Sequence, residues 1–157
     1  MPLGRNPSRI LALDVGNRRI GLAVTDPLGL TAQGLETLER KNKRADFDQL
    51  RRVVEKFEVA EIVVGDPKHM SGDAGAQSAK VATLAAELRQ RFHLPVHLWD
   101  ERLTSAQANR LLRDAEVSSR RRPGTVDRMA ASLILQSFLE HRSAQNTAGE
   151  KSSKLEP

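Results

Sequence analysis

The sequence contains no cysteine, and aromatic residues make up only 3% of it. Without cysteine the protein can form no disulfide bond, thiol nucleophile or zinc–thiolate site. The scarcity of aromatic rings argues against a surface that binds single strands by stacking bases, because such a surface needs exposed rings. Aliphatic side chains must therefore fill most of the core.

Long apolar runs are also missing. No stretch approaches the ~20 apolar residues that a membrane-spanning helix needs, and residues 1–9 lack the apolar segment of a signal peptide. We therefore expect a soluble, cytoplasmic protein that does not contact a membrane.

Positive charge exceeds negative charge. The formal net charge is +5 and the pI is about 10.1, a balance that favours polyanions such as nucleic acids as partners. Many basic proteins never bind nucleic acid, so charge alone leaves the partner open.

The length of 157 residues is that of one domain. We expect a single domain over residues 1–142 and a disordered tail over residues 143–157, because the tail is small, polar and aperiodic. An antiparallel meander followed by strand–helix–strand crossovers indicates a mixed α/β sheet covered by helices. The sequence predicts strands 10–13, 20–25 and 31–38, helix 45–57, strand 61–65, loop 66–75, helix 76–92, strand 96–99, a helix from 104, loop 116–124 and helix 125–141.

Three acidic residues stand at positions suited to catalysis. Asp14 ends an apolar strand, Glu101 follows strand 96–99 and Asp100, and Asp127 lies on the inward stripe of the last helix. Each has an ordinary alternative. Asp14 resembles a turn aspartate beside Gly16, and the other two resemble acids favoured by the dipole near a helix N-terminus.

Taken together, the three acids predict a metal site. If the strands before Asp14 and Glu101 are parallel neighbours, both acids emerge at one sheet edge, which Asp127 can reach from a covering helix. Carboxylates this close repel each other unless a cation is bound, and Mg²⁺ or Mn²⁺ prefers such oxygen ligands. Two ions about 3.5–4 Å apart suit an in-line phosphoryl displacement, so we predict metal-dependent cleavage of a phosphodiester bond.

Basic side chains near these acids are expected to hold phosphates, since arginine makes two-point contacts with phosphate oxygens. The ordinary alternative is a solvated loop. The predicted nucleic-acid contacts are Arg18, Lys68, Arg102, Arg120, Arg121 and Arg122. Three further residues are candidates for a supporting role around the site: Asp66, Asp100 and Thr104.

Three segments in order, LALDVGNRRIGLAVTD, WDERLTSAQA and VDRMAASLILQSFLE, resemble the motifs of the YqgF family of RNase H-like proteins, also called RuvX. The resemblance spans roughly residues 9–140. It implies the RNase H-like fold, a mixed five-stranded sheet with three antiparallel and then two parallel strands. It also implies that the family's acids fall on Asp14, Glu101 and Asp127.

The resemblance implies a nuclease, and two substrates are compatible with it. The family is described both as a Holliday junction resolvase of DNA recombination and repair and as the nuclease that matures the 5′ end of pre-16S rRNA in ribosome biogenesis. A resolvase must cut two strands symmetrically, which favours a homodimer, whereas an RNA-processing nuclease can act as a monomer. No sequence feature indicates a dimer, so we favour structured RNA over branched DNA as the substrate.

One departure from the family pattern and two rival functions stay open. The family's Gly-Leu-Pro is here Gly65-Asp66-Pro67, and Asp66 could either perturb the site or join it. The segment from Asp14 to Gly21 also resembles the phosphate loop of actin-like sugar kinases, although those enzymes need two such domains. A catalytically silent nucleic-acid-binding factor would suit the basic charge equally well.

Overall fold

The computed structural model describes residues 9–67, 72–100 and 125–155. In the second and third of these ranges, side chains are described only for residues 76–100 and 129–145. The helix predicted from residue 104 lies outside these residues. The described ranges contain the strands β1 (Arg9–Val15), β2 (Arg19–Thr25), β3 (Ala32–Gly34), β4 (Leu38–Glu39), β5 (Val59–Asp66) and β6 (Val96–Asp100), and the helices α1 (Lys43–Lys56), α2 (Gly72–Phe92) and α3 (Thr125–Leu155).

Strand β1 lies at the centre of the sheet, whose order is β3-β2-β1-β5-β6. It pairs antiparallel with β2 and parallel with β5, and β6 runs parallel to β5. The predicted α/β fold with a mixed sheet is therefore confirmed. The carboxyl ends of β1, β5 and β6 all reach the same edge of the sheet, since the three strands are parallel.

The third predicted strand, 31–38, is two short strands instead of one. Both β3 and β4 pair with β2, with Gly34 opposite Ala23 and Leu38 opposite Ile20. Gly34 and Leu38 are four residues apart, whereas their partners on β2, Ala23 and Ile20, are only three apart. The segment that joins β3 to β4 therefore contains one residue more than the facing part of β2. An extra residue interrupts a ladder, and the sheet consequently has six strands rather than five.

Side chains alternate across the sheet and build two cores. Leu11 and Leu13 of β1 belong to a core with α1 and α2, whereas Ile10 and Ala12 belong to a core with α3. Strand β1 is thus covered on both faces, as its continuous apolar sequence predicts. We refer below to the α1/α2 face and the α3 face of the sheet.

Both α1 and α2 begin earlier than the sequence predicts. Helix α1 starts at Lys43 and is capped by Asn42, whose Oδ1 accepts a hydrogen bond from the Ala45 amide at 2.9 Å. Helix α2 starts at Gly72, and Asp66 is the last residue of β5, so residue 66 and residues 72–75 of the predicted loop belong to regular elements instead. Glycine is tolerated at a helix start far better than in a helix interior.

Helix α3 continues past its predicted end at residue 141. Residues 143–155 are helical in the structure, where the sequence predicts a disordered tail. This segment contains helix formers such as Ala144, Gln145 and Lys151 and no proline before Pro157. The single-domain organisation stays a prediction. None of the helices in the described ranges is long and apolar enough to cross a membrane.

An ion pair ties α3 to the sheet. Arg142 donates from Nη1 to Oε1 of Glu61 at 2.9 Å and from Nη2 to Oε2 at 2.5 Å. The Nε2 atom of His97 lies 2.5 Å from the same Oε2. The hydrogen bonds from Arg142 lower the pKa of Glu61, and they outweigh the opposing effect of partial burial.

Replacing Glu61 by glutamine is expected to lower the free energy of unfolding by roughly 1 kcal/mol at neutral pH, the scale of a partly exposed two-point ion pair. The pKa of Glu61 is lower in the folded than in the unfolded state. Its carboxylate therefore stabilises the fold above the ordinary pKa of 4.5 and loses this effect as the pH falls through the folded-state pKa.

Denaturant unfolding of wild type and Glu61→Gln at neutral and acidic pH measures this effect. The difference between the two proteins should shrink in acid, while the exposed Glu55→Gln control should show little difference at either pH. If wild type and Glu61→Gln differed in free energy of unfolding by the same amount in acid as at neutral pH, the ion-pair interpretation would be contradicted.

Candidate active site

Asp14 lies one residue before the end of the central strand. It follows Ile10 and Ala12 in the alternation of β1, so it faces α3 and is half-buried there. Its partner across the β1–β2 ladder is Gly21. On the other side the register Leu13↔Val64, continued by one residue, gives Gly65 of β5.

A glycine flanks Asp14 on each neighbouring strand. Both Gly21 and Gly65 are buried, yet neither places a side chain next to the carboxylate. A glycine inside a strand often marks a place where a ligand or another backbone approaches closely. Neither residue is among the sequence-predicted site residues, although each interrupts an otherwise apolar strand and so carries that signal.

The β1–β2 turn next to Asp14 is held tightly. The Gly16 amide donates to the Arg19 carbonyl at 2.8 Å, and a Cβ atom at Gly16 would lie only 2.9 Å from that oxygen, so the turn requires glycine. Arg40 Nη1 donates to the Gly16 carbonyl at 2.9 Å. The predicted phosphate contact Arg18 lies exposed in this turn.

Asp66 and Asp100 stand on the other side of the sheet. They are partners in the β5–β6 register, and Asp66 follows Ile62 and Val64, which belong to the α1/α2 core. Asp66 is only 3% exposed and accepts a hydrogen bond from Ser78 Oγ at 2.6 Å. The sheet therefore separates Asp66 from Asp14, and Asp66 does not join it on the α3 face.

Position 127 lies in α3, one helical turn before Ala131. Ala131, Ile134, Leu135 and Phe138 form the stripe of α3 that is buried against the sheet, so position 127 continues that stripe. The side chain of Asp127 is not among those described. The other predicted site residues outside the described residues are Lys68, Glu101, Arg102, Thr104, Arg120, Arg121 and Arg122.

The described side chains alone do not make up a metal site. Within them, no three histidine, aspartate or glutamate side chains are close enough together to hold an ion. A carboxylate such as Asp14 is nevertheless the donor that Mg²⁺ and Mn²⁺ prefer. The residues present thus fit one oxygen ligand on the α3 face, flanked by two glycines.

Comparison with known proteins identifies the family of this chain. The model of the RuvX family, described as Holliday junction resolvase, matches residues 8–141. The chain belongs to the RuvX family. Resolvases are nucleases, so the predicted enzyme class, a hydrolase of phosphodiester bonds, is confirmed.

Two relatives of this RuvX chain are named as RNA-processing nucleases. A protein of Koribacter versatilis, named as a candidate pre-16S rRNA nuclease, is 59% identical over 134 residues, which are 85% of this chain and 88% of the relative. A protein of Clostridium acetobutylicum with the same name is 47% identical over 131 residues, 83% of this chain and 97% of the relative.

Two solved structures share the fold of this RuvX chain. RuvC of T. thermophilus, in complex with a Holliday junction, has a TM-score of 0.53 at 14% identity and covers 85% of this chain and 95% of its own. The resolvase of Fowlpox virus, also bound to a Holliday junction, has a TM-score of 0.51 at 12% identity and covers 86% and 99%. These matches confirm the RNase H-like fold.

Proposed function

We propose that this RuvX chain is a nuclease that depends on divalent metal ions and matures the 5′ end of pre-16S rRNA, a step of ribosome biogenesis. The observation that carries the proposal is the position of Asp14, on the central strand between two glycines and facing α3. The names of the relatives at 59% and 47% identity support RNA as the substrate.

Asp14, Glu101 and Asp127 form the proposed catalytic set and the ligands of two Mg²⁺ or Mn²⁺ ions. His97 and Trp99 of β6 contact the Phe138 ring of α3, so odd-numbered positions of β6 face α3. Glu101 stands two residues after Trp99 in the sequence, just past the end of β6. This pattern supports Glu101 as a partner of Asp14 on one face.

The length of α3 supports Asp127 as the third member of the set. Asp127 lies fifteen residues before Arg142, a distance of about 22 Å along a helix. Arg142 binds Glu61 near the start of β5, and β5 rises about 13 Å from Glu61 to Gly65, beside Asp14. Helix α3 is therefore long enough to bring position 127 to the carboxyl edge of the sheet.

The proposed roles follow from these positions. Divalent ions held by carboxylates activate a water molecule and stabilise the leaving oxygen of a phosphodiester. Asp14 supplies its oxygen from a strand that is hydrogen-bonded to a neighbour on each side, and the two flanking glycines place no side chain beside it. Flanking phosphates are proposed to contact Arg18, Lys68, Arg102, Arg120, Arg121 and Arg122.

A Holliday junction is the second candidate substrate, because the matching family model carries that description. Symmetric cleavage of a junction would need a homodimer with two active sites. A factor that binds nucleic acid without cutting it is the third candidate, and it differs from both nucleases by yielding no product.

The deciding experiment offers labelled pre-16S rRNA and a four-way DNA junction to the wild type and to Asp127→Ala, with Mg²⁺, Mn²⁺ or a chelator. We expect RNA product with a defined 5′ end from the wild type with a divalent ion alone. Cleavage confined to the junction would establish the resolvase. Cleavage that persists undiminished in the chelator or in the variant would contradict the carboxylate mechanism, and no product from either substrate would favour the binding factor.

A further inference from the structure

A cavity opens on the α1/α2 face of the sheet, opposite Asp14. Its volume is about 490 Å³, and it lies between the β1–β2 turn, the segment before α1 and the middle of α2. Asn17 of the turn lines it, so the cavity begins three residues along the chain from Asp14. The turn therefore borders both the proposed cleavage site and this cavity.

Basic side chains surround the cavity in excess over acidic ones. Its lining contains four basic residues, Arg40, Lys41, Lys43 and Lys80, and two acidic residues, Asp46 and Glu87. The formal charge of the lining is therefore +2. An anion that enters the cavity meets an attractive field at short range.

Both acidic residues of the lining already interact with basic residues of the same cavity. Lys43 Nζ lies 2.9 Å from Glu87 Oε1. Asp46 is buried and accepts hydrogen bonds from the Lys41 amide at 2.9 Å and from Arg40 Nε at 3.4 Å. The ammonium groups of Lys41 and Lys80 have no acidic partner within the described parts of the chain.

We propose that this cavity binds phosphate groups of the nucleic-acid strand that is cut at Asp14, at a second contact removed from the cleavage site. The proposal rests on the proposed nuclease function, because it needs a bound strand that crosses the β1–β2 turn from the α3 face to the α1/α2 face. Lys41 and Lys80 supply the charges for that contact. The cavity raises affinity and orients the strand without touching the reacting phosphate.

The expected effect follows from counterion release. Each phosphate contact with a single strand contributes about 0.7 to the slope of log affinity against log salt. Losing the Lys41 and Lys80 contacts should therefore flatten the slope by about 1.4 and weaken binding on the order of tenfold at physiological salt.

The test compares two double variants of the full-length chain. Lys41→Gln/Lys80→Gln removes the unpaired charges of the cavity. Arg52→Gln/Lys56→Gln removes the same charge from exposed positions in the last turns of α1. Fluorescence anisotropy with a labelled pre-16S RNA fragment, measured without divalent ions over a salt series, gives the affinity and the slope. Inorganic phosphate and AMP as competitors separate a strand contact from a site for small phosphates.

We expect the cavity variant to show the weaker affinity and flatter slope, with the control close to wild type and with millimolar phosphate or AMP displacing little RNA. Equal losses in both variants, no loss in the cavity variant, or no binding by the wild type would overturn the proposal. Displacement by AMP with RNA affinity unchanged in the cavity variant would also overturn it, in favour of a nucleotide site. A wild type that binds RNA in this pattern yet cuts nothing would support the cavity contact and count against the nuclease function alone.

Discussion

Replacing Asp14 by alanine is expected to reduce the rate of phosphodiester cleavage by roughly a thousandfold or more, because carboxylates that act as a unit lose nearly all activity when one is removed. The fold should survive, since removing one of several mutually repelling acids is neutral or stabilising without metal. Single-turnover cleavage of the RNA with Mg²⁺, together with thermal unfolding, measures both effects.

Asp48→Ala provides the matched control for this variant. Asp48 is an exposed aspartate on α1, so its removal takes away the same charge without reaching the α3 face. Asp14→Asn adds an isosteric test, because the amide fills the same space but binds cations poorly. Full activity in Asp14→Ala or Asp14→Asn would remove the basis of the proposed mechanism.

Replacing Leu135 by alanine is expected to lower the free energy of unfolding by about 2–5 kcal/mol. Leu135 is 0% exposed and packs in the core between α3 and the sheet. Truncation removes apolar contacts and leaves a cavity in a core whose members from β1 and β2 include the short side chains of Ala12 and Ala23. Denaturant unfolding monitored by circular dichroism gives the loss.

Leu133→Ala makes the same chemical change elsewhere on α3. Leu133 is half-buried and is not among the residues of the core beneath the helix. Its truncation should therefore lower the free energy of unfolding clearly less than Leu135→Ala does. Because α3 also carries position 127, Leu135→Ala should reduce cleavage at temperatures where the protein is still folded. Equal destabilisation by the two variants would mean that α3 does not pack on the sheet through the stripe described above.

The order of strands and helices could be predicted because apolar periodicity is a local property of the sequence. β1, β2, β5 and β6 lie where their apolar runs predict them. The extra residue between Gly34 and Leu38 could not be predicted, because it depends on which residues of β2 face each strand. The early start of α1 depends on the Asn42 cap, and asparagine is equally common in turns.

Part of the candidate site could also be predicted, because apolar runs mark the ends of strands in the sequence itself. Sequence patterns identify Asp14 and Asp66 as acids that end strands, but they do not say which face each one occupies. That assignment depends on the helix packed on each face, since Asp66 is bound by Ser78 of α2 whereas Asp14 faces α3. The glycines beside Asp14 likewise become meaningful only through the strand register.

The central position of β1 has a consequence for how this protein can move. Its backbone is hydrogen-bonded to β2 on one edge and to β5 on the other, so displacing it requires breaking two ladders at once, and such segments open only near global unfolding. Asp14 is therefore carried by one of the least mobile parts of the molecule. Any rearrangement that admits a substrate or releases a product must be made by the surrounding elements, with Asp14 as the fixed point against which they shift.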